Sequence, residues 1–309
     1  MTALSPELEA FLATATKVAL SVADSSNSVT ASRGALDTTG LLDLARDVAD
    51  EADGVRWLAH TVRVVAQTSP SLAFVLAGRY AADHIGRDAG PDGSSFGLAF
   101  AGSATVVSAA LEPQRAVVWD AASGSVFAAP FDSVGTVGSE PRSGLAQADL
   151  VSVTLPSGSV VADADASELV SRWDLFTGAA LVGTARRAVH ESQAYVMGRH
   201  QFGVPIGSFV GLRALVADMD LRVRETEALL VLALDGAASS PVSAVAGRAA
   251  VAVCIDAVQA HGGYGYIDEY PIAGLLRDAI SIASRAGGRR FHLARVAQLG
   301  LGPRAAVLP

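Results

Sequence analysis

Two glycine-punctuated segments carry the residue types best suited to hold an anion. The first is a connector of twelve residues, Gly198 to Phe209, with Arg199 near its start. The second is the run His261-Gly262-Gly263-Tyr264-Gly265, two positions after Gln259. Arginine offers a planar fork of donors, and bare glycines let backbone N–H groups approach a ligand closely. Both segments are therefore typical of sites that bind a phosphate or a diphosphate.

Helices must position these segments, because both interrupt a long stretch of helical periodicity. Apolar residues recur at helical spacing from residue 166 and predict helices near 168–198, 207–235, 242–260 and 272–298. The breaks fall at the connector, at DGAASSP and at HGGYGYIDEYP. We therefore expect a C-terminal four-helix bundle domain over 166–305, with both segments at helix ends.

The rest of the chain predicts a second helical region and a small β module. The first 85 residues predict about four helices, one of them over Asp37–Asp53. Gly, Pro and Asp residues predict a linker over 86–95, and β-branched runs predict strands within 104–111, 115–123, 125–131 and 150–155. The predicted fold class is mainly α with a small β module. Its three domains are an N-terminal helical domain (1–85), an abridged middle β domain (96–162) and the bundle.

The composition restricts the classes of partner. The 309 residues include 23 basic and 31 acidic side chains, a net charge of −8, which argues against nucleic acid as a partner. The start of the chain lacks the basic residues of a secretory signal, and we expect no membrane span and a cytoplasmic location. The single cysteine, Cys254, excludes an internal disulfide. No histidine has the spacing of a metal ligand, so we expect no metal site. Only 17% of the residues are charged, which favours burial of surface against other subunits.

The two segments resemble motifs of the acyl-CoA dehydrogenase family. In that family the connector reads roughly R-x-x-F-G-x-P-I, and the second motif reads Q-x-x-G-G-x-G, followed by E-Y-P and R-D-A. This chain carries RHQFGVPI, QAHGGYG, EYP and RDA in the same order. The resemblance is strong over 180–280, and 141–158 resembles the end of the family's middle β domain.

The resemblance implies an FAD-dependent oxidoreductase that dehydrogenates an acyl-CoA. In the family a carboxylate removes the α proton while the β hydrogen leaves as hydride to the flavin. The motifs of one subunit hold the adenosine-diphosphate half of an FAD whose ring lies in the neighbouring subunit. Carried over to this chain, the cofactor-binding residues are Arg199, Gln201, Phe202, Gln259, Gly262 and Gly263. The alternative is that the glycines only turn the chain and that Arg199 pairs with a local acid.

Other residues of the motifs are expected to have structural roles. We expect packing and helix-end hydrogen bonds for His261, Tyr264 and Tyr266. We expect Arg277 and Asp278 to form an interhelix or intersubunit pair.

The sequence departs from the family where the catalytic base and the flavin ring are expected. The usual glutamate falls at Ala286. Some relatives carry the base on the first bundle helix, at the position of Trp173, next to Asp174. We expect Asp174 to be a helix-start or surface acid; the alternative is a displaced base. The stretch 99–117 lacks the motifs that wrap the flavin ring, and Trp119 does not restore them.

These departures resemble one variety of the family, the heteromeric α2β2 acyl-CoA dehydrogenases of actinobacterial steroid catabolism. This chain resembles their short, degenerate β-type subunit. The implied partners are a longer catalytic subunit that shares the FAD, an acyl-CoA substrate, steroid-derived in such enzymes, and an electron-transfer acceptor. Two alternatives remain. One is a self-sufficient, homo-oligomeric dehydrogenase with Asp174 as base, and the other is a non-catalytic interaction subunit without flavin.

Overall fold

A computed structural model describes residues 4–24, 29–85, 93–101, 104–138, 143–154 and 165–302 of the chain. Within these ranges the protein is mainly helical, with two three-stranded sheets and one two-stranded hairpin. The predicted fold class is confirmed. The predicted domain boundaries stay a prediction, because one core cluster of buried side chains joins the N-terminal helices, the first sheet and the bundle.

The N-terminal region contains five helices and a short 3₁₀ turn. They are α1 (Pro6–Asp24), the turn Val29–Ser32, α2 (Arg33–Asp37), α3 (Leu44–Asp47), α4 (Gly54–Ala66) and α5 (Pro70–Asp83). Ser69 caps α5, because its Oγ accepts from the N–H of Leu72 at 3.2 Å, and every residue of α5 is buried. The helix predicted over Asp37–Asp53 is wrong, since only Leu44–Asp47 and Asp37, the last residue of α2, are α-helical there. Gly40 has a φ of +70°, which an α-helix does not accommodate.

The β module consists of two small sheets. One has the order β1-β3-β4, with β1 (Ser94–Ala99), β3 (Arg115–Asp120) and β4 (Val126–Pro130); the other has the order β2-β6-β5, with β2 (Thr105–Ser108), β5 (Gly135–Gly138) and β6 (Leu150–Thr154). Strand β1 pairs parallel to β3, with Ser94 opposite Arg115. The sequence did not predict β1 or β5. The predicted linker ends too late, because Ser94 and Ser95 are buried in β1, while 86–92 lie outside the described residues.

The C-terminal region contains five helices. They are α6 (Ala166–Gly198), α7 (Val210–Leu234), α8 (Ser240–His261), α9 (Ile272–Arg285) and α10 (Gly288–Leu301). Helices α6 to α9 form the predicted bundle, and α10 packs against α8. The single helix predicted over 272–298 is wrong, because Gly287, with a φ of +122°, separates α9 from α10. The break changes the direction of the chain, so that α10 packs against α8.

Helix α6 is the element around which the other parts assemble. It contacts α4, α5, α7, α8 and α9. Gly183 permits the close approach of α4, since a Cβ there would overlap the carbonyl oxygen of Arg63. Three residues further along α6, Arg186 binds Asp220 and Glu227, the latter at 2.7 Å, which joins α6 to α7.

One helix of the described chain is long and apolar enough to cross a membrane by length and composition alone. It is the segment Ser240–Tyr266, and half of its most apolar window is buried inside the protein. The expectation of no membrane span therefore has this one exception. Burial of this kind is also typical of a core helix, and α8 contacts α6, α7, α9 and α10.

Candidate functional site

The arginine connector folds into a tight hairpin at the end of α6. Its two short strands, β7 (His200–Gln201) and β8 (Val204–Pro205), pair antiparallel, so Phe202 and Gly203 form the turn. Both turn residues have positive φ, +52° and +80°, as a two-residue type I′ turn requires. Asn or Gly usually occupies the first of these positions, and phenylalanine is strained there. The side chain of Phe202 is also 93% exposed. The hairpin therefore presents a strained aromatic residue to the surroundings.

The glycine run forms the turn after α8. Gly262 has a φ of +60° and a ψ of −136°, a conformation that residues with a Cβ rarely adopt. A Cβ at Gly262 or at Gly263 would meet no atom within 4 Å, so this backbone faces open space. Gly265 differs, because a Cβ there would lie 2.7 Å from the carbonyl oxygen of Val258. Gly265 therefore serves packing, whereas Gly262 and Gly263 form a bare, accessible corner.

An aromatic cluster brings the hairpin and the glycine corner together. The ring of Tyr195, on the last turn of α6, stacks on His261 with 4.2 Å between centroids, and its hydroxyl donates to the His261 carbonyl at 3.3 Å. Tyr270 packs edge-on against Tyr195 at 5.4 Å. The guanidinium of Arg199 lies 5.5 Å from the centre of the Tyr264 ring. Arg199 and the glycines that follow Gln259 thus lie at one end of the bundle.

Arg199 pairs with no acid among the residues that the structure describes. Its described partner is the face of Tyr264, a cation–π contact that leaves the guanidinium donors available. The alternative of a local acidic partner is thus wrong within the described ranges. Arg199, Gln201 and Gln259 are all exposed. This end of the bundle therefore offers an uncompensated cation, two amides, an aromatic ring and bare backbone to a ligand. We refer to it as the cationic edge.

The expectation for the aromatic residues of the second motif is confirmed in part. His261 is buried, its Nδ1 lies 2.8 Å from the carbonyl oxygen of Ala257, and burial lowers its pKa. Tyr264 packs against Tyr270 at 5.8 Å. Tyr266, in contrast, is 76% exposed, so the expectation of packing is wrong for that residue.

Asp174 is neither a helix-start residue nor a surface acid, so that expectation is wrong. It lies in the third turn of α6 and is fully buried. One carboxylate oxygen pairs with Arg295 of α10 and accepts from Ser239 at 3.2 Å, and the other lies 3.6 Å from Nδ1 of His292. Burial raises the pKa of Asp174 to about 6, and the cation of Arg295 opposes that shift. The sequence predicts that the Asp174 side chain points outward. It points into the protein instead, because α10 folds back and Arg295 supplies the counter-charge.

Ala286 lies at the end of α9 and is 1% exposed. Its N–H donates to the carbonyl of Ile282 at 2.8 Å, which continues the helix to the break at Gly287. The position at which the sequence comparison expects a glutamate is thus a buried methyl group in the described structure. Asp174, which the sequence offers as an alternative base, is already engaged by Arg295.

Aromatic side chains fill the boundary between the β module and the helices. Trp173 of α6 packs against Phe74 at 5.6 Å and against Phe96 at 5.0 Å. Phe291 of α10 packs against Phe100 at 5.4 Å and against Trp119 at 5.6 Å. Phe100 and Trp119 lie in or beside the stretch that the family resemblance associates with the flavin ring. Both therefore pack against Phe291 of the same chain. We refer to these six side chains as the aromatic boundary.

Arg277 and Asp278 bind loop residues of this chain, so the expectation of an interhelix pair is wrong within the described residues, while an intersubunit pair stays a prediction. Asp278 Oδ1 accepts from the N–H of Leu145 at 2.6 Å, and Arg277 Nε donates to the carbonyl of Ser143 at 3.0 Å. Burial raises the pKa of Asp278 to about 6. A Cβ at Gly144 would overlap the carbonyl oxygen of Arg277, so this glycine is required for the contact. The motif therefore ties the β module to α9.

Sequence reasoning missed three residues that shape these regions. Tyr195 lies four positions before Arg199, and the N–H of Arg199 donates to the Tyr195 carbonyl at 2.9 Å, so this spacing is a signal that could have been used. Phe291 and His292 gave no such signal. Their roles depend on the break at Gly287, which turns α10 back onto α8.

Comparisons with known proteins agree with this architecture. A family model described as "Acyl-CoA dehydrogenase, C-terminal domain" matches residues 171–300. The acyl-CoA dehydrogenase of Bacillus subtilis (strain 168) is 38% identical over 106 residues, which are 32% of this chain and 28% of that protein. A short-chain-specific acyl-CoA dehydrogenase of Clostridium acetobutylicum is 37% identical over 106 residues, with the same two shares. The matched stretch thus spans less than a third of each relative.

The likeness of fold extends over almost the whole chain. The structure of butyryl-CoA dehydrogenase from Megasphaera elsdenii superposes with a TM-score of 0.80 at 17% identity. The superposition covers 97% of this chain and 100% of that chain. The helices, the β module and the bundle therefore have the arrangement found in that enzyme.

Proposed function

We propose that this chain, whose residues 171–300 match the C-terminal domain of the acyl-CoA dehydrogenase family, is a member of that family and a subunit of an FAD-dependent, hetero-oligomeric enzyme. In this proposal it is the short β-type chain of an α2β2 assembly in the cytoplasm. Its cationic edge holds the diphosphate half of an FAD whose ring and catalytic base belong to a longer α subunit. The reaction is the α,β-dehydrogenation of a bulky, steroid-derived acyl-CoA, with electrons passed to an electron-transfer acceptor.

The cationic edge is the observation that carries this proposal. Arg199 has no acidic partner among the described residues, and Gly262 and Gly263 face open space beside it. A diphosphate satisfies both features, because its oxygens accept from the guanidinium fork and from closely approaching N–H groups. The exposed ring of Phe202 offers an apolar face next to the same edge. The residues present therefore fit the nucleotide half of FAD.

Each residue of the edge has a distinct task in the proposed complex. Arg199 supplies the charge, and the ring of Tyr264 holds its guanidinium in place. Gln201 and Gln259 provide neutral donors, and Gly262 and Gly263 leave room for the ligand's oxygens. Bound FAD supplies the acceptor for the substrate's β hydrogen. This chain's own task is to bind and orient the nucleotide.

In this proposal the partner subunit supplies the catalytic base. Neither of the positions at which the family carries its base holds a suitably placed acid in the described part of this chain. The usual position is Ala286, and it is buried. A general base must reach the proton that it removes and must be ionised when it acts. Asp174 is fully buried, and its carboxylate is already paired with Arg295, so it does not face an open site. Its geometry therefore disfavours the self-sufficient alternative.

Co-expression with a longer acyl-CoA dehydrogenase encoded beside this chain tests the proposal. We expect a copurified complex with flavin absorbance. Arg199→Ala and Gln259→Ala should lower its FAD occupancy at least tenfold at limiting FAD. The matched controls, Arg290→Ala and Gln298→Ala, change exposed side chains of α10 and should leave occupancy unchanged. Unchanged occupancy in the Arg199 and Gln259 variants would sink the shared-cofactor proposal, and a complex without flavin would favour the interaction-subunit alternative.

Asp174→Asn separates the proposal from the self-sufficient enzyme. Under the proposal, the variant complex keeps the turnover rate per bound FAD, since the base lies in the partner. Dehydrogenation by the purified single chain, abolished by Asp174→Asn while the fold and FAD content persist, would establish the alternative.

A further inference from the structure

Helix α7 carries a line of apolar residues that faces solvent. Val210, Leu221 and Leu232 are 82%, 57% and 56% exposed, and the other members of the line are exposed alanines. Successive residues of an α-helix are about 100° apart, so every member lies within about 40° of Leu221 around the helix axis. We refer to this line as the α7 stripe; its residues are Val210, Ala214, Ala217, Leu221, Ala228 and Leu232.

The α7 stripe is symmetric about Leu221. Val210 and Leu232 lie eleven positions before and after it, and Ala214 and Ala228 lie seven positions before and after it. An antiparallel second copy centred on Leu221 therefore brings leucine to leucine, alanine to alanine and Val210 to Leu232, over about 33 Å of helix. The alanines let the two helix axes approach to about 8–10 Å.

The charges beside the stripe change sign at the same residue. Asp218 and Asp220 precede Leu221, and Arg222 and Arg224 follow it. The side chains of Asp218 and Arg224 are 51% and 66% exposed. Within one copy Arg222 binds Asp218, and Arg224 binds Asp220 at 2.7 Å. In an antiparallel pair the acidic half of one helix lies over the basic half of the other, so the two copies are electrostatically complementary.

A groove beside the first half of α7 fits the second half of the same helix in another copy. It lies between α6 and α7 and has a volume of about 660 Å³. Met197 of α6 lines it together with Val210 and Ala214 of α7, and Met197 is 57% exposed. The antiparallel pair places Ala228 and Leu232 of the second copy along this groove. Apolar surface is then covered on both copies.

We propose that two copies of this chain pair through α7, antiparallel and with Leu221 on the twofold axis. Such an interface uses the same stripe and the same groove twice, so the assembly closes as a dimer. Only 17% of the residues are charged, which agrees with burial of this surface. The pair needs no FAD and no longer subunit, so this inference stands or fails apart from the proposed function. In an α2β2 assembly it joins the two short chains.

Cysteine cross-linking of the full chain tests the position of the axis. Leu221→Cys places two thiols at the centre of the pair, so mild oxidation should convert most of the chain into a covalent dimer on a non-reducing gel. The single native cysteine, Cys254, is buried, so the unchanged protein gives the background. The matched control is Leu293→Cys, at a leucine of α10 that is 43% exposed, and it should stay monomeric on the gel.

A second set of cysteines tests the antiparallel order. The double variant Val210→Cys/Leu232→Cys should cross-link, whereas neither single variant should, because each of these positions meets the other one across the axis. A parallel pair would instead cross-link both single variants and would contradict the proposal.

Sedimentation velocity measures the strength of the pair. Leu221→Glu places two like charges on the axis and should raise the dissociation constant of the dimer at least tenfold. Glu225→Ala removes the charged residue that lies within about 40° of Leu221 on α7, so it should lower that constant. Both changed side chains are exposed, and far-UV circular dichroism verifies that the variants fold.

Three outcomes would overturn the proposal. The first is Leu221→Cys that cross-links no more than Leu293→Cys, and the second is a dimer that Leu221→Glu leaves intact. The third is a stripe covered by a longer partner chain, in which case Leu221→Glu reduces copurification of that chain while Leu221→Cys forms no covalent dimer. FAD occupancy reports on the proposed function separately, since Arg199→Ala should lower it and Leu221→Glu should not.

Discussion

The cationic edge and the aromatic boundary differ in what their side chains contact. At the edge, Arg199 lacks an acidic partner in the described structure, Phe202 is 93% exposed, and two glycines face open space. At the boundary, Trp173 and Phe291 pack against aromatic neighbours at 5.0–5.6 Å. The edge retains groups that a ligand can use, whereas the aromatic rings of the boundary pack against one another. The contrast teaches that one chain can leave polar and cationic groups open to a ligand at one end of its bundle while its aromatic side chains pack closely elsewhere.

The largest effect should come from the boundary. Trp173→Ala removes a side chain that is 1% exposed and contacts two aromatic rings, so we expect a loss of about 3–5 kcal/mol in the free energy of unfolding. Urea denaturation at neutral pH measures it. The matched change at the edge, Tyr266→Ala, should cost no more than about 0.5 kcal/mol, because Tyr266 is 76% exposed. Equal losses would contradict the contrast between the two regions.

The next effect concerns the buried charge behind the boundary. Arg295→Met removes the cation beside Asp174, so we expect a loss on the order of 3 kcal/mol at pH 8. The folded-state pKa of Asp174, about 6, lies above its unfolded value of 3.8, so the folded state binds the extra proton and stability falls as pH rises through this window.

Loss of Arg295 raises that pKa further and extends the window upward. The variant should therefore lose more stability at pH 8 than at pH 5. Denaturation at both pH values measures the difference, with Arg290→Met as the control on the same helix. A loss that is independent of pH would mean that Asp174 does not carry the charge that Arg295 compensates.

A smaller effect should appear at the glycine corner. Gly262→Ala places a Cβ on a residue with φ +60° and ψ −136°, so we expect a loss of about 1–2 kcal/mol. Gly263→Ala has no positive φ and no atom within 4 Å of the new Cβ, and its stability should stay unchanged. Thermal unfolding compares the two variants. If Gly263→Ala also lowers FAD occupancy of the copurified complex, the corner serves the ligand as well as the turn.

The smallest effect should have the opposite sign. Phe202→Asn places a residue that tolerates left-handed φ before Gly203, so the hairpin should gain about 0.5–1 kcal/mol. FAD occupancy in the complex should fall, because the apolar ring is lost. Parallel unfolding and flavin measurements test this. The Phe202 ring lies 6.3 Å from the Phe209 ring, and a less stable variant would show that this contact outweighs the relief of backbone strain.

The cationic edge could be predicted from sequence because its information is local. Arg199, Phe202 and the glycines after Gln259 lie in two short motifs, each at the end of a long helix. The spacing within each motif can be read directly from the sequence. The helices α6 to α8 were predicted within a few residues for the same reason, since their periodicity is continuous. The residues of the edge were thus named from the sequence, while their role toward FAD stays a proposal.

The aromatic boundary and the environment of Asp174 could not be predicted, because both depend on pairs that are distant in sequence. Arg295 follows Asp174 by 121 residues, and Phe291 follows Trp119 by 172. Both sets of contacts depend on Gly287, which separates α9 from α10 and redirects the chain. The periodicity of 272–298 continues across that glycine, so the sequence pattern predicted one helix where the backbone forms two.

The late position of Arg295 has a consequence for how the chain acquires its structure. During synthesis, α6 emerges long before the cation that neutralises its buried carboxylate. Until α10 arrives, Asp174 must stay hydrated or protonated, so the first helix of the bundle cannot settle into its final environment. The buried environment of Asp174 is therefore completed only after α10, the last described helix, has left the ribosome, and an agent that captures α10 early would keep Asp174 exposed in the nascent chain.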